Sequence, residues 1–426
     1  MPILFRQTSH DIAFGCSPIE KMGGDNIVTY SMYGETPPIK ETGSNFVFKL
    51  TEDLSNSNAY ILINNNLYGI GRNDAYQFGP NNGLAKTYTL IANNVKDFSA
   101  VSNALYYIDT QNNLYGIGSN NKGQLGLGDT TTVTIFTKIA SNVRKVQANQ
   151  RNVAWYITND GDLYMTGQNT YGQQGSGNTT DVLNFTKRLS NVRDIDMHTG
   201  SVTAVILENN DLYMCGYAQL WNQGNSRQTN YTSFHKVAEN VKKVCADTEY
   251  CFYIVNDGLD TMYISGQLLS QQYKGFTSYA TQINDIQIAN NSHLGYLTND
   301  GDLYLGGRNN YGECSTGSTS ITTNMALRGG NVASIHLGQH VSWYIDNNGD
   351  LYGCGANDHG QQGTGAQTDV LTFAKRAENV KEVYTDISST WYIDNNGDLY
   401  GCGGSYGLFP NTQSHVRTFT KVELPE

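Results

Sequence analysis

The chain has 426 residues, with 27 Lys and Arg against 38 Asp and Glu and a formal charge of −11. Only 15% of residues are charged while 45 are Gly and 29 are Tyr, a balance that reads as many short strands joined by tight turns rather than as long helices. The acidic balance argues against a nucleic-acid surface, whose affinity comes from clustered Lys and Arg, and no apolar run reaches membrane-spanning length.

Residues 1–45 carry no clear period and include the Pro37-Pro38 turn. Their start, MPILFRQTSHDIAFG, has neither the basic opening nor the continuous apolar stretch of a secretion signal, so no signal peptide is expected. The segment is expected either to cap one face of the domain irregularly or to form an arm that docks it onto a larger assembly. Asn45 to Leu50 (NFVFKL) is the first strand, and residues 46–426 form one repeat domain.

Within that domain an apolar residue plus Tyr, with Gly three places after the Tyr, occurs eight times. The tyrosines are Tyr68, Tyr115, Tyr164, Tyr213, Tyr263, Tyr304, Tyr352 and Tyr400; the glycines are Gly71, Gly118, Gly167, Gly216, Gly266, Gly307, Gly355 and Gly403. The third unit shows the parts. Asn152 to Thr158 (NVAWYIT) is a strand, Asn159-Asp160-Gly161-Asp162 a tight hairpin, and Leu163 to Gly167 the returning strand. A polar, Gly-rich loop follows, then the strand Asn184 to Leu189, and Asn191 to Met197 opens the next unit. About four short strands in about 48 residues is one propeller blade. The expected fold is an all-β propeller of short antiparallel blades, eight preferred and seven the alternative.

The last unit ends at Arg417 to Leu424 with no following Asn-Val-x-x-Val strand, and NFVFKL stands unpaired at the other end. These two terminal segments are therefore expected to share one blade and so remove an exposed sheet edge. Units four and five break the pattern, with Ala218-Gln219-Leu220-Trp221 in one loop and Gln267 to Tyr273 in the other.

The phrase Leu114-Tyr-Gly-Ile-Gly-Ser-Asn-Asn-Lys-Gly-Gln-Leu-Gly-Leu-Gly128 resembles the regulator-of-chromosome-condensation repeat, with Asn357 to Gly365 a second match. The resemblance covers roughly residues 46 to 424. It implies a propeller, usually of seven blades, in which the Gly-Gln-Leu-Gly turn holds the inter-strand loop. Founding members of that family exchange nucleotide on a small GTPase and bind chromatin. No basic tail and no residue here maps onto an exchange surface, so that activity is not carried over.

Chemistry-bearing motifs are few. The Asn-Asp-Gly-Asp sequences at 159–162 and 299–302 lack the further oxygen ligands and late Glu of a calcium loop and read as hairpin turns. His336 and His340 share a strand face at their spacing, yet a metal site needs more ligands nearby. No nucleophile elbow or His-Glu-x-x-His is present, and Gly116-Ile117-Gly118 ends a strand instead of opening a helix. No catalytic residue, cofactor or metal is expected. Cys215, Cys354 and Cys402 share one repeat position and read as small buried hydrophobes. Trp155, Trp343 and Trp391 fall in a repeated strand column and read as blade packing.

Partner contact is assigned instead to aromatics in the irregular loops: Tyr217, Trp221 and Tyr273. The composition, poor in Lys and rich in Asn, Thr, Tyr and Gly, suggests a virion protein, a phage tail or baseplate component that is structural or binds the host surface. Its partners would be other proteins of the assembly or a bacterial surface glycan, with neither nucleic acid nor membrane insertion. The alternatives are a cytoplasmic protein-interaction scaffold and, behind it, a guanine-nucleotide exchange factor.

Overall fold

Each repeat carries three short runs of β-branched and aromatic residues and then a longer run rich in Thr and Lys. A computed structural model pairs them as four antiparallel strands; it describes residues 46–51, 58–80, 83–101, 103–197, 200–218, 222–224, 229–268, 271–289, 293–404, 409 and 415–425. Eight such sheets follow one another, spanning 46–92, 95–140, 143–189, 192–238, 241–280, 283–329, 332–377 and 380–421. They are numbered blades 1 to 8, and their strands are lettered a to d in chain order. The a strands of neighbouring blades meet, those of blades 8 and 1 included, so the sheets form a closed ring with a innermost and d outermost. The chain is an eight-bladed all-β propeller, as the repeat predicts. No helix among the described residues is long and apolar enough to cross a membrane.

Ring closure differs from the sequence expectation. Phe46–Leu50 pairs with Asn58–Ile63 inside blade 1, and Val416–Lys421 pairs with Leu399–Gly403 inside blade 8. The terminal strands therefore lie in adjacent blades, not in one. The cause is the phase of the repeat: the Asn-Val-x-x-Val strand begins a blade, so eight whole blades are cut from the chain with none left over. Closure is by packing. The Phe48 ring lies 5.0 Å from Trp391 and 5.6 Å from Tyr384, in a cluster with Phe46, Ile61, Phe409 and Val422, against which Leu424 packs half-buried. Deleting residues 417–426 takes an outer strand from blade 8 and two side chains from this cluster. The chemical-denaturation midpoint is expected to fall sharply, and an unchanged midpoint would contradict closure through this cluster.

Two devices tie blade to blade. At each d-to-a turn stands a residue with positive φ, Gln282 between blades 5 and 6 and Asn at the others, for example Asn142 at 64° and Asn191 at 56°, a conformation that Asn tolerates better than most residues. The Asn142 carbonyl accepts the Asn159 N–H at 2.9 Å, and the Val192 N–H reaches back to the Gly161 carbonyl at 2.9 Å. Repeated at the seven d-to-a turns, these bonds join the b–c hairpins of blades 2 to 7 to the turns on both sides and those of blades 1 and 8 to one turn each, so much of the backbone on this hairpin face is satisfied within the protein.

The second device lies in the inner strands. Lys49 pairs with Asp97 at 3.3 Å, Lys145 with Asp194 at 3.7 Å, and Lys243 with Asp285. Every pair crosses a blade joint, and all but Asp97 are buried. Burial raises the Asp285 carboxyl while Lys243 holds it down. Breaking one partner of such a pair is costly even where the pair itself adds little net stability.

The repeated tyrosines explain themselves in the same frame. Tyr156 and Tyr164 stack at 4.9 Å and 12°, with the Phe185 ring 4.8 Å from Tyr156, and this face packs on the preceding blade. Trp155, Trp343 and Trp391 are fully buried, as are Cys215, Cys354 and Cys402.

Candidate functional site

The face opposite the hairpins carries the a–b turns and the long c–d loops, and here the repeat is both most elaborate and most often broken. In blade 3 the loop folds on Asn169, which is wholly buried. Its Oδ1 accepts the Gln174 N–H at 2.9 Å, and its Nδ2 donates to the Asn178 and Thr180 carbonyls at 2.9 and 3.0 Å. Asn309 in blade 6 and Asn357 in blade 7 do the same. An Asn side chain suits this task because it both accepts and donates.

The folded loop then reaches the next blade. The Gly177 N–H donates to the Thr232 carbonyl of blade 4 at 2.7 Å, Gly128 to Leu183 at 2.9 Å, and Gly317 to Leu371 at 2.9 Å. Gly175 faces the Phe234 ring so closely that a Cβ there would enter it. The Gly-Gln-x-Gly turn is thus an inter-blade clasp, a more specific role than holding a loop within one unit. Side chains of the next blade secure it, as when Thr203 Oγ1 donates to the Gln173 carbonyl at 2.6 Å.

Blade 4 keeps its clasp, contrary to the sequence expectation. Gly224 lies against Phe276 of blade 5 as Gly175 lies against Phe234, and Gln223 Nε2 donates to the Tyr217 carbonyl at 2.8 Å. The motif is respelled in register, not lost: Asn222-Gln223-Gly224 stands where Gln173-Gln174-Gly175 does, with Ala218 in place of the organising Asn. Blade 5 is the real exception. Its strands Met262–Leu268 and Gln271–Ala280 stay paired as far as Leu268 and Gln271, which leaves no loop to clasp blade 6.

Of the three sequence-derived contact residues, two are described. Tyr217 is half-buried, its ring 5.4 Å from Tyr171 and nearly perpendicular to it, at the joint of blades 4 and 5. Tyr273 packs instead at the joint of blades 5 and 6 with Tyr279, Tyr304 and Met325, where a clasp would otherwise sit; its hydroxyl donates to Gln271 Oε1 at 2.6 Å. The two belong to separate clusters. Trp221 lies outside the described residues, as does the whole segment 1–45.

Charged and titratable groups gather on this face over blades 5 to 7. Arg308 is exposed at the start of the blade 6 loop. Burial raises the Glu249 carboxyl of blade 5, with Asp247 adding and Arg308 opposing. Burial lowers His340 of blade 7, and Arg308 lowers it further. The Tyr311 ring lies 4.7 Å from His340. Glu313 is fully buried in the place of the clasp Gln; its Oε2 accepts the Tyr311 N–H at 2.7 Å, and burial raises its carboxyl. Sequence reading missed this group because its members come from three blades and follow no motif. The replacement of Gln by Glu at 313 was the one visible signal. His336 and His340 do not converge: the first is buried in a strand and the second half-buried beyond its end. Among the described residues no three His, Cys, Asp or Glu side chains come together to hold a metal ion.

No protein-family model matches the sequence, and no curated protein matches it. Solved structures do. The chain is similar to yeast RCC1 (Prp20) in its crystal structure bound to Kap60, with a TM-score of 0.56 and 14% identity over 100% of this chain and 91% of that one. It is similar to Prp20p from Saccharomyces cerevisiae, TM-score 0.54 and 15% identity over 88% of both chains. Human WBSCR16 gives a TM-score of 0.50 and 15% identity over 70% of this chain and 82% of that one. At these identities the likeness is one of fold: the chain is an RCC1-like β-propeller.

Proposed function

We propose that the chain is a non-enzymatic protein-interaction scaffold whose loop face, over blades 4 to 7, receives a protein partner. The observation that carries this reading is the gathering of Glu249, Arg308 and His340 on the loop face, from the unclasped joint of blades 5 and 6 to the neighbouring joint of blades 6 and 7, outside the positions that the repeat specifies. Binding residues concentrate on loops held by a rigid scaffold, and the hairpin face spends its polar groups on its own belt of hydrogen bonds. The Prp20 structures support a protein partner: one is bound to Kap60, and the other is described with its binding properties to Gsp1p and histones. They favour a scaffold over the phage tail or baseplate component expected from composition, for which neither they nor the geometry supplies an argument.

The test is affinity capture by the immobilised full chain from its native lysate. The wild type is compared with Arg308→Glu plus Tyr217→Ala on the loop face, and with Asp300→Arg on the hairpin face. Capture of a protein is expected to fall at least about tenfold with the loop-face pair and to persist with Asp300→Arg. The opposite pattern would move the interface to the hairpin face. Retention on cell-wall glycan, abolished by Trp221→Ala, would replace the protein partner with a sugar.

A further inference from the structure

One further repeated contact lies at the rim of the ring, between the residue before the first Leu or Met of strand c and the strand d residue opposite the repeat tyrosine. In blades 3, 4, 7 and 8 it is an ion pair: Asp162 with Lys187 at 2.6 Å, Asp211 with Lys236 at 2.9 Å, Asp350 with Lys375 at 2.7 Å and Asp398 with Lys421 at 2.8 Å. The strand register gives the same two positions in the other blades. In blades 1 and 5 both members are neutral, Asn66 with Leu90 and Thr261 with Ser278. Blade 2 keeps the cation alone, Lys138 with Asn113, and blade 6 keeps the anion alone, Asp302 with Leu327. Lys138 is exposed and Asp302 half-buried, and among the described residues neither has an ion-pair partner. Blades 2 and 6 stand opposite each other across the eight-membered ring.

The exposed large apolar side chains of the described residues fall in the same two sectors and nowhere else. Leu84 and Leu90 lie in strand d of blade 1, and Ile135, 70% exposed, lies in strand d of blade 2. Opposite them, Leu327 lies in strand d of blade 6, Ile321 just before it, and Leu259 in the hairpin of blade 5. Elsewhere the repeat keeps these strand positions polar. Ile135 stands where blades 3, 6 and 7 carry Asn184, Asn324 and Thr372, and Leu90 and Leu327 stand where four blades carry the paired Lys. Every strand d is hydrogen-bonded on one side only, and charged side chains are one way in which such an edge is guarded. Single exposed apolar residues are ordinary, but their confinement to two opposite sectors marks contact surfaces.

We propose that the rim over blades 1 and 2 of one copy docks on the rim over blades 5 and 6 of a second copy, with Lys138 meeting Asp302. The chain itself carries both halves of the broken pair, which makes a second copy the partner. Covering the leucines and isoleucines supplies the affinity, whereas an exposed ion pair adds little energy and chiefly selects the partner surface. Docking of either rim on its own kind would set Lys138 against Lys138 or Asp302 against Asp302, so the contact is heterologous. Because its two halves face opposite ways, it extends from copy to copy into a filament. This contact is separate from the loop-face interface and shares no residue with Glu249, Arg308 and His340.

Sedimentation velocity of the full chain across a wide concentration range tests this. Self-association is expected, and Leu327→Lys, which restores the pair found in four other blades, should weaken it at least about tenfold with a melting midpoint no lower than that of the wild type. Lys138→Asp and Asp302→Lys should each weaken it as well, since like charges then meet at every contact. An equimolar mixture of these two variants should associate more tightly than either alone, because each contact between unlike copies again joins opposite charges. A monomeric wild type, association untouched by Leu327→Lys, or a mixture no more associated than its components would each overturn the proposal. A monomer that still captured another protein through Arg308 would leave the scaffold reading standing, so the two failures are distinguishable.

Discussion

Replacing Gly167 with Ala is expected to destabilise the propeller by about 3–5 kcal/mol, among the largest effects of any single substitution here. Two costs combine. Gly167 has φ 96°, a conformation that L residues with a Cβ adopt only under strain. In addition, a Cβ at 167 would press into the carbonyl oxygen of Asn152, in the turn just before the neighbouring strand Val153–Thr158. The equivalent contact at Gly118, with the Asn103 carbonyl, is 2.5 Å, and it is closer still at Gly216, Gly266, Gly355 and Gly403. The obstacle is backbone, held by the Gln168 N–H that donates to the same carbonyl at 3.0 Å, so it cannot move aside as a side chain tip could. Gly258→Ala is the control: φ is 81° there, but nothing lies within 4 Å of a Cβ, so only the conformational cost of about 1–2 kcal/mol applies. Urea denaturation of both variants checks the claim, and equal losses would show that the clash with the carbonyl costs little beside the backbone strain.

That column of glycines also shows why so much of the fold could be read from residues alone. A requirement that comes from local backbone geometry recurs wherever the geometry recurs, and so it writes itself into the sequence eight times. The same holds for Trp155, Trp343 and Trp391, which fill one strand position. What the sequence concealed was chemistry between blades. Lys145 and Asp194 look like ordinary surface residues, and only the joint makes them a buried pair. The phase of the repeat was ambiguous because the run of strands is the same whether NFVFKL is read as the start of the first blade or as the missing member of the last. The clasp of blade 4 was hidden by a change of spelling, since Asn222-Gln223-Gly224 keeps the final Gly that meets Phe276 and discards the first. The cluster around Arg308 was out of reach for a further reason: Glu249, Arg308 and His340 lie on three blades and obey no spacing.

The second large effect is in acid. Burial pushes the His336 imidazole down to about 3. His293, hydrogen-bonded to Ser342 at 2.7 Å, is pushed down to about 3 by burial, with the charge of His340 adding to it. In the unfolded chain both titrate near 6.5. The folded state therefore holds both rings neutral, and the unfolded chain takes up more protons between those values. The stability this contributes is complete above about pH 6.5 and is lost as pH falls towards 3. At about pH 4.5 the loss amounts to roughly 2–3 kcal/mol for each ring. Buried carboxyls pull the other way. Burial raises Asp285, Glu382 and Asp386, so what they contribute is present below the ordinary carboxylate range and lost as pH rises through their folded values. The wild-type profile is the sum of the two slopes, and His336→Gln and His293→Gln each remove part of the first alone. Urea midpoints measured from pH 7 to about 4.5 are expected to fall less in each variant than in the wild type, with the gap opening only below about pH 6.5. A gap that stays constant across that range would mean that neither ring is held neutral by the fold.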